Sequence, residues 1–420
     1  MKSNKLIICC LLALFLVPAI GAEPPAALDG HWHAVWMSSG GEIPVDLYIK
    51  TNSAGQLEAE VHNGPEVVQF SRVNRADNHI DLFIDHFESQ ISAELSPDGK
   101  SMKGNWSKQT GNPNQMTFYA EKGDLERFPK DKFPAPAKKT LINDASGTWK
   151  LRFEGDDYDS VCLFEQKGEK LTGTIRAIDG DFRWLEGAYR NGLLLLSSFN
   201  GSWAFLFKAE SDEKGILHGI WARGPRPGVK WTAVKEEAML PDLFSLTKLS
   251  NSAGLLRFKY PSADDPRRTI SNSDPEFQGK PLLIILSTTG CPNTHQLAVV
   301  LSQLYKDYHP QGLNALGIFF ELTDDLTRIQ TRIRRFKQEY DLPFPFAYSL
   351  TMSKDDVVKE IPDFKNFLAW PTVVFVGRNG RVTAIHTGVD GPATGKYYDQ
   401  LILNFRQKIE ELLSAPNKGR

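Results

Sequence analysis

Hydrophobic and polar residues along the chain follow one rhythm, repeated, and then another. Between 28 and 124 they alternate with period two, as in Val45-Asp46-Leu47-Tyr48-Ile49, Leu57-Glu58-Ala59-Glu60-Val61 and Ile80-Asp81-Leu82-Phe83-Ile84. Successive side chains of a strand point to opposite faces, so this rhythm predicts half-buried strands. The pairs Asn63-Gly64 and Asp98-Gly99 predict hairpin turns. Residues 145–237 echo the same plan. Gly30-His31-Trp32 corresponds to Gly147-Thr148-Trp149, and Gly104-Asn105-Trp106 to Gly219-Ile220-Trp221, with Trp-to-Trp spacings of 74 and 72. The expectation is a duplicated all-β, barrel-like region, either two small barrels or two halves of one, since closure removes exposed edges. Between the repeats, the Pro- and Lys-rich stretch within 125–144 reads as a linker.

From 240 to 415 the rhythm changes. Leu282 to Leu286 is an apolar run too short for a helix, which predicts a buried strand. It leads through Ser287-Thr288-Thr289-Gly290-Cys291-Pro292-Asn293-Thr294 into an amphipathic run from His295 to Tyr308. Leu313 to Glu321 reads as a strand, Leu326 to Tyr340 as a helix and Pro345 to Leu350 as a short strand. Thr372–Val376 and Arg381–Ile385 flank Asn379-Gly380, a hairpin signal, and a last helix runs from about Tyr397 to Leu413.

Composition narrows the classes. The 420 residues, 41% hydrophobic and 24% charged, suit several globular domains. A net charge of −2 lacks the basic footprint of a nucleic-acid binder. Lys2 and Lys5, the apolar run from Leu6 to Ile20 and the small pair Gly21-Ala22 read as a signal peptide over 1–22, implying a secreted, periplasmic protein without a later membrane span. Cleavage there leaves Cys162 and Cys291, too few for a disulfide framework or a cysteine zinc site, and neither metal nor cofactor is expected. His31 and His33 share a strand face but have no evident third ligand, so a solvent-facing pair around a buried Trp32 is the expectation.

The chemistry centres on Cys291. A thiol between a strand and a helix N-terminus meets unpaired N–H groups and the positive end of the helix dipole, which favour thiolate. Thr294 stands where a redox Cys-x-x-Cys pair would have its second sulfur. Trp370-Pro371-Thr372 opens the hairpin strand opposite.

On these residues the last block resembles the TlpA-like branch of the thioredoxin-fold proteins, exported thiol–disulfide oxidoreductases. Gly279-Lys280-Pro281, Cys291-Pro292-Asn293, Gln311-Gly312-Leu313, Phe320-Glu321, Trp370-Pro371-Thr372 and His386-Thr387-Gly388 carry the resemblance, and the tandem β blocks look like the N-terminal part of some members. It implies an α/β thioredoxin-like domain over 240–415, Cys291 as the attacking sulfur, and a substrate held by Trp370, cis Pro371, Pro292 and Asn293. Its partners would be protein or small-molecule thiols and disulfides, with an external thiol reductant. The resemblance also makes Glu321 a proton shuttle, against the plainer alternative of a strand-end carboxylate. Thr294 either donates its hydroxyl to the thiolate or fills the lost cysteine's volume. The usual Trp-Cys-x-x-Cys is broken by Gly290 and Thr294, so no resolving thiol carries over, and Cys162 reads as an inert buried thiol.

The expected activity is monothiol thiol–disulfide exchange. A redox-silent binding or scaffold protein and a monothiol peroxidase are the alternatives. His295 is a candidate cation beside the sulfur, but a solvated helix histidine is the expectation. The basic series Arg328, Arg332, Arg334, Arg335 and Lys337 reads as a solvated helix face, and Phe182, Trp184, Phe199 and Trp203 as barrel core.

Overall fold

The structure, a computed structural model, describes residues 27–109, 114–134, 144–351 and 353–416. The expected signal peptide lies outside them. Among the described residues no helix is long and apolar enough to cross a membrane.

Nine antiparallel strands, from Gly30–Ser38 to Asn114–Lys122, form the first sheet, and the first of them pairs with both the second, Gly41–Thr51, and the last. Its edge strands Glu66–Gln69 and Arg72–Ala76 adjoin in sequence. Between them Phe70 N donates to Ala59 O (2.9 Å) and Ser71 N to Phe83 O (2.7 Å), which ties both edges together.

The second sheet closes fully. Gly147–Phe153 pairs with Ser160–Lys167 and Val229–Lys235, and Ser160–Lys167 also pairs with Lys170–Ala177. The result is an eight-stranded barrel, with the short strand Gly180–Asp181 laid beside Lys170–Ala177. The two β units share local geometry. Trp32 Nε1 donates to Leu28 O and Trp149 Nε1 to Ala145 O, both at 2.9 Å. Lys122 and Lys235 lie 6.0 and 5.9 Å from the respective rings.

The two β units are packed together chiefly along strands Leu193–Phe199 and Ala204–Ser211. Every residue of Leu193–Phe199 is buried. Leu194 and Leu196 fill the barrel, whereas Leu193, Leu195 and Phe199 enter the core of the first unit, where Phe199 stacks on Trp36 at 4.6 Å. The stretch read as a linker is also packed as far as it is described. Phe128 and Phe133 are buried, and Arg127 bonds Asp46 (2.7 Å) and the carbonyls of His62 and Ser197.

The C-terminal unit has the thioredoxin-type arrangement. Its sheet runs Phe346–Ser349, Asn314–Phe320, Leu282–Ser287, Thr372–Val376, Val382–Thr387, parallel among the first three and antiparallel thereafter. The central strand is apolar from Leu282 to Leu286 because both faces are covered. Leu283 and Ile285 pack with helices Pro292–Tyr308, Leu326–Glu339 and Lys396–Ser414, while Leu282, Ile284 and Leu286 pack with Phe320, Ile361 and Phe364.

The basic face of Leu326–Glu339 departs from its expected solvation. Arg328 Nε bonds Glu88 (2.9 Å), Arg335 donates to Asp85 O (2.6 Å), Lys337 pairs with Asp264 (2.9 Å), and Arg332 is buried. Arg328 and Arg335 reach the first β unit. Acceptors separated by some 240 residues in sequence made that face look free.

Candidate functional site

Cys291 is the N-cap of helix Pro292–Tyr308, in extended backbone (φ −92°, ψ 117°), with Pro292 in the first turn, where its missing N–H costs nothing. The thiol is half-buried. Its Sγ lies 3.7 Å from Trp370 O, and the Trp370–Pro371 peptide is cis. The structure thus brings together Cys291, Pro292, Asn293, Thr294, Trp370 and Pro371.

The acidity of the thiol differs from the sequence expectation. Burial pushes the Cys291 thiol above its ordinary value, outweighing the lowering effect of the Thr294 hydroxyl and of the Thr294 and Asn293 N–H groups. The helix N-terminus supplies its donors, but burial removes the water that would solvate a thiolate. Thr294 itself is buried, its hydroxyl bonded to Ser287 Oγ and its N–H to Cys291 O (3.0 Å).

Two neighbouring residues are committed elsewhere. Glu321 is fully buried, accepts from Thr289 N (2.7 Å) and ion-pairs with Arg332 Nη1 (2.9 Å). It anchors the loop before Cys291 rather than presenting a free carboxyl. His295 is buried. Its Nε2–H donates to Thr289 O and its Nδ1 accepts from Tyr340 Oη, both at 2.9 Å, because a carbonyl can only accept. Burial drives its pKa down to about 3, so it is a neutral buried strut, neither the solvated helix histidine expected nor the candidate cation beside the sulfur.

The second β unit covers the cysteine face. Asn293 Nδ2 bonds Asp179 O (3.4 Å), and a Cβ on Gly180 would stand 2.0 Å from that same nitrogen. Gly388 N bonds Pro371 O (2.9 Å), and a Cβ on Gly388 would meet Ile178 O at 2.5 Å. Ser202 Oγ donates to Gly290 O (3.4 Å). Lys108, from the first unit, is buried and bonds Ser202 Oγ. Sequence reading missed Lys108, Arg176, Ser202, Arg223 and Asp390. The one local signal was parity: Lys108 shares the inward register of Met102 and Trp106.

Other candidates are structural. Cys162 lies inside the barrel core with Trp149 and Leu171, where burial raises its pKa strongly. His31 bonds Asp46 (3.0 Å) and stacks on Tyr48. Among the described residues no cluster of three or more His, Cys, Asp or Glu suits a metal ion.

No family model matches the chain, and no curated protein does. Among solved structures it is similar to a putative thiol:disulfide interchange protein DsbE from Chlorobium tepidum, 16% identical over 39% of this chain and 100% of that one, TM-score 0.30. It is similar also to a thiol-disulfide oxidoreductase from Bacteroides fragilis, 18% identical over 34% of this chain and 96% of that one, TM-score 0.27. A third similarity is to a putative thioredoxin from Neisseria meningitidis, 23% identical over 37% of this chain and 92% of that one, TM-score 0.28. The thioredoxin-type description of the C-terminal unit rests on its own strand order and on the apposition of Cys291 and Trp370.

Proposed function

We propose that the chain is an exported thiol–disulfide oxidoreductase of the TlpA-like kind that works through one sulfur, Cys291, with a duplicated β region, 28–124 and 145–237, preceding the redox domain over 240–415. The observation that carries the activity is the half-buried Cys291 at the start of a helix, its Sγ 3.7 Å from the Trp370 carbonyl oxygen. The Trp149/Ala145 and Trp32/Leu28 bonds support the duplication. In the step proposed, the Cys291 sulfur attacks a disulfide RS–SR, forming Cys291–S–S–R as the RS–SR bond breaks. The displaced sulfur leaves with the electron pair and takes up the proton Cys291 loses, giving RSH. A second, external thiol then attacks the mixed disulfide, restores Cys291–SH and leaves a new disulfide, so electrons balance without a second protein sulfur. Pro292 and Asn293 would frame the substrate beside Trp370 and Pro371; Thr294 and Glu321 act on the position of the sulfur and its loop.

A second reading, a redox-silent binding or scaffold protein, is favoured by one observation, the upward shift of the thiol by burial. Incubation with oxidised glutathione followed by intact mass separates the two. A single adduct that vanishes in Cys291→Ser supports exchange; absence of any adduct at pH 8 supports the scaffold.

A further inference from the structure

Beside Gly290 lies a group of cations that the thioredoxin-type unit does not supply. Lys108 closes strand Ser101–Lys108 of the first β unit and is only 4% exposed. Its ammonium bonds Ser202 Oγ, a neutral acceptor, and sits 4.7 Å from the ring centroid of Trp203. Arg223, from the second unit, lies 4.3 Å from that ring. Among the described residues neither cation has a carboxylate within ion-pair distance. Glu88 is near Lys108 but is taken by Arg328, and Asp179 acts on Arg223 from beyond ion-pair distance.

A buried ammonium offers three donors and is costly without a counter-charge. Here one donor is used, on a hydroxyl, and π faces take part of the charge. Burial and the repulsion of Arg332 pull its pKa down to about 7, while the Cys291 sulfur acts in the opposite sense. Ser202 Oγ links the Lys108 ammonium to Gly290 O, one residue before Cys291. Trp203, Arg223, Gly290 and Cys291 are all partly open to solvent. The turn at Ile178 to Gly180, in contrast, is seated on Asn293 and Gly388, ground an extended peptide would need next to Pro371.

We propose that Lys108, Arg223 and Trp203 form an anion subsite for a small acidic disulfide, one bearing carboxylates, whose sulfur is presented to Cys291. This rests on the exchange activity proposed above and narrows its substrate. The Trp203 face takes the body of the ligand, Lys108 and Arg223 its carboxylate, and exchange proceeds as already balanced, with the acidic thiol leaving as RSH.

The full chain is reacted with oxidised glutathione (acidic), hydroxyethyl disulfide (neutral) and cystamine (basic), and mixed-disulfide formation at Cys291 is followed by intact mass. The acidic reagent is expected to react at least tenfold faster than cystamine at low salt, a ratio that shrinks at high ionic strength. Lys108→Gln and Arg223→Gln should each reduce that ratio several-fold, and Lys108→Arg should keep it. Equal rates for the three reagents in the unmodified chain overturn the subsite while leaving exchange intact. No adduct with any reagent overturns the exchange reading and the subsite together. The wild-type comparison needs no variant, so a misfolded Lys108→Gln protein does not shield the proposal.

Discussion

Arg176 and Asp390 meet through two hydrogen bonds, Nε to Oδ1 at 2.7 Å and Nη2 to Oδ2 at 2.9 Å, with both side chains closed to solvent. The guanidinium also lies 3.5 Å from the Tyr397 ring centroid. This pair joins the closed barrel to the loop after Val382–Thr387 and so holds the Ile178–Gly180 turn over Asn293. Removing one partner of a buried pair strands the other charge, which costs about 3–5 kcal/mol. Arg176→Ala is therefore expected to lower the melting temperature and to speed alkylation of Cys291 by iodoacetamide. Unchanged alkylation in a folded variant would mean the turn does not shield the thiol.

Asp181 gives the chain a pH dependence. It is buried opposite Arg176 on the neighbouring strand, and burial together with repulsion from Asp390 pushes its pKa from an ordinary 3.8 up to about 7. The folded chain then holds a proton that the unfolded chain releases. Its stabilising contribution is complete below about 3.8 and is lost as pH rises to about 7. The upper bound of that loss is on the order of 4 kcal/mol. Asp181→Asn should leave chemical-denaturation stability unchanged near pH 4 and raise it near pH 8; equal effects at both pH values would contradict the shift.

Glu321 and Arg332 form a second buried pair, under the loop that carries Cys291. Glu321→Gln and Arg332→Met should each cost about 3–5 kcal/mol, and the double variant less than their sum, because it buries no lone charge. A purely additive double-mutant cycle in urea unfolding would show that the pair is not coupled.

Phe199 belongs to the closed barrel in sequence but to the core of the first unit in space, stacked on Trp36. Truncation to Ala should cost about 3–5 kcal/mol. The loss should fall on the association of the two β units, so urea unfolding followed by Trp fluorescence is expected to become biphasic. A single unshifted transition would contradict this.

Much of the C-terminal unit was legible because its signals are local. The apolar run Leu282–Leu286, the cysteine at a strand–helix junction and the Asn379-Gly380 turn each report their own structure within a few residues. The alternating strands of 28–124 and 145–237 were legible for the same reason. The acidity of Cys291 was not. A helix N-terminus is visible in sequence, whereas the turn packed on the neighbouring Asn293 is more than 100 residues away and the burial of the sulfur is a tertiary outcome. His295 was misread likewise: its two partners, Thr289 O and Tyr340 Oη, make it a neutral strut, and only folding supplies the second.

The chain's own order of residues determined the two β rhythms, the thioredoxin-type succession of strands and helices, and a solitary sulfur at a helix start opposite Trp370-Pro371. Periodicity, turn chemistry and capping act over a few residues, so they are written directly into the sequence. Tertiary structure alone decided that Leu193–Phe199 is buried on both faces, that Arg328 and Arg335 dock onto the first β unit, and that Lys108 lies near Cys291. Those outcomes depend on which distant surfaces exclude water from one another, and dehydration sets the cost of a charge and the acidity of a thiol.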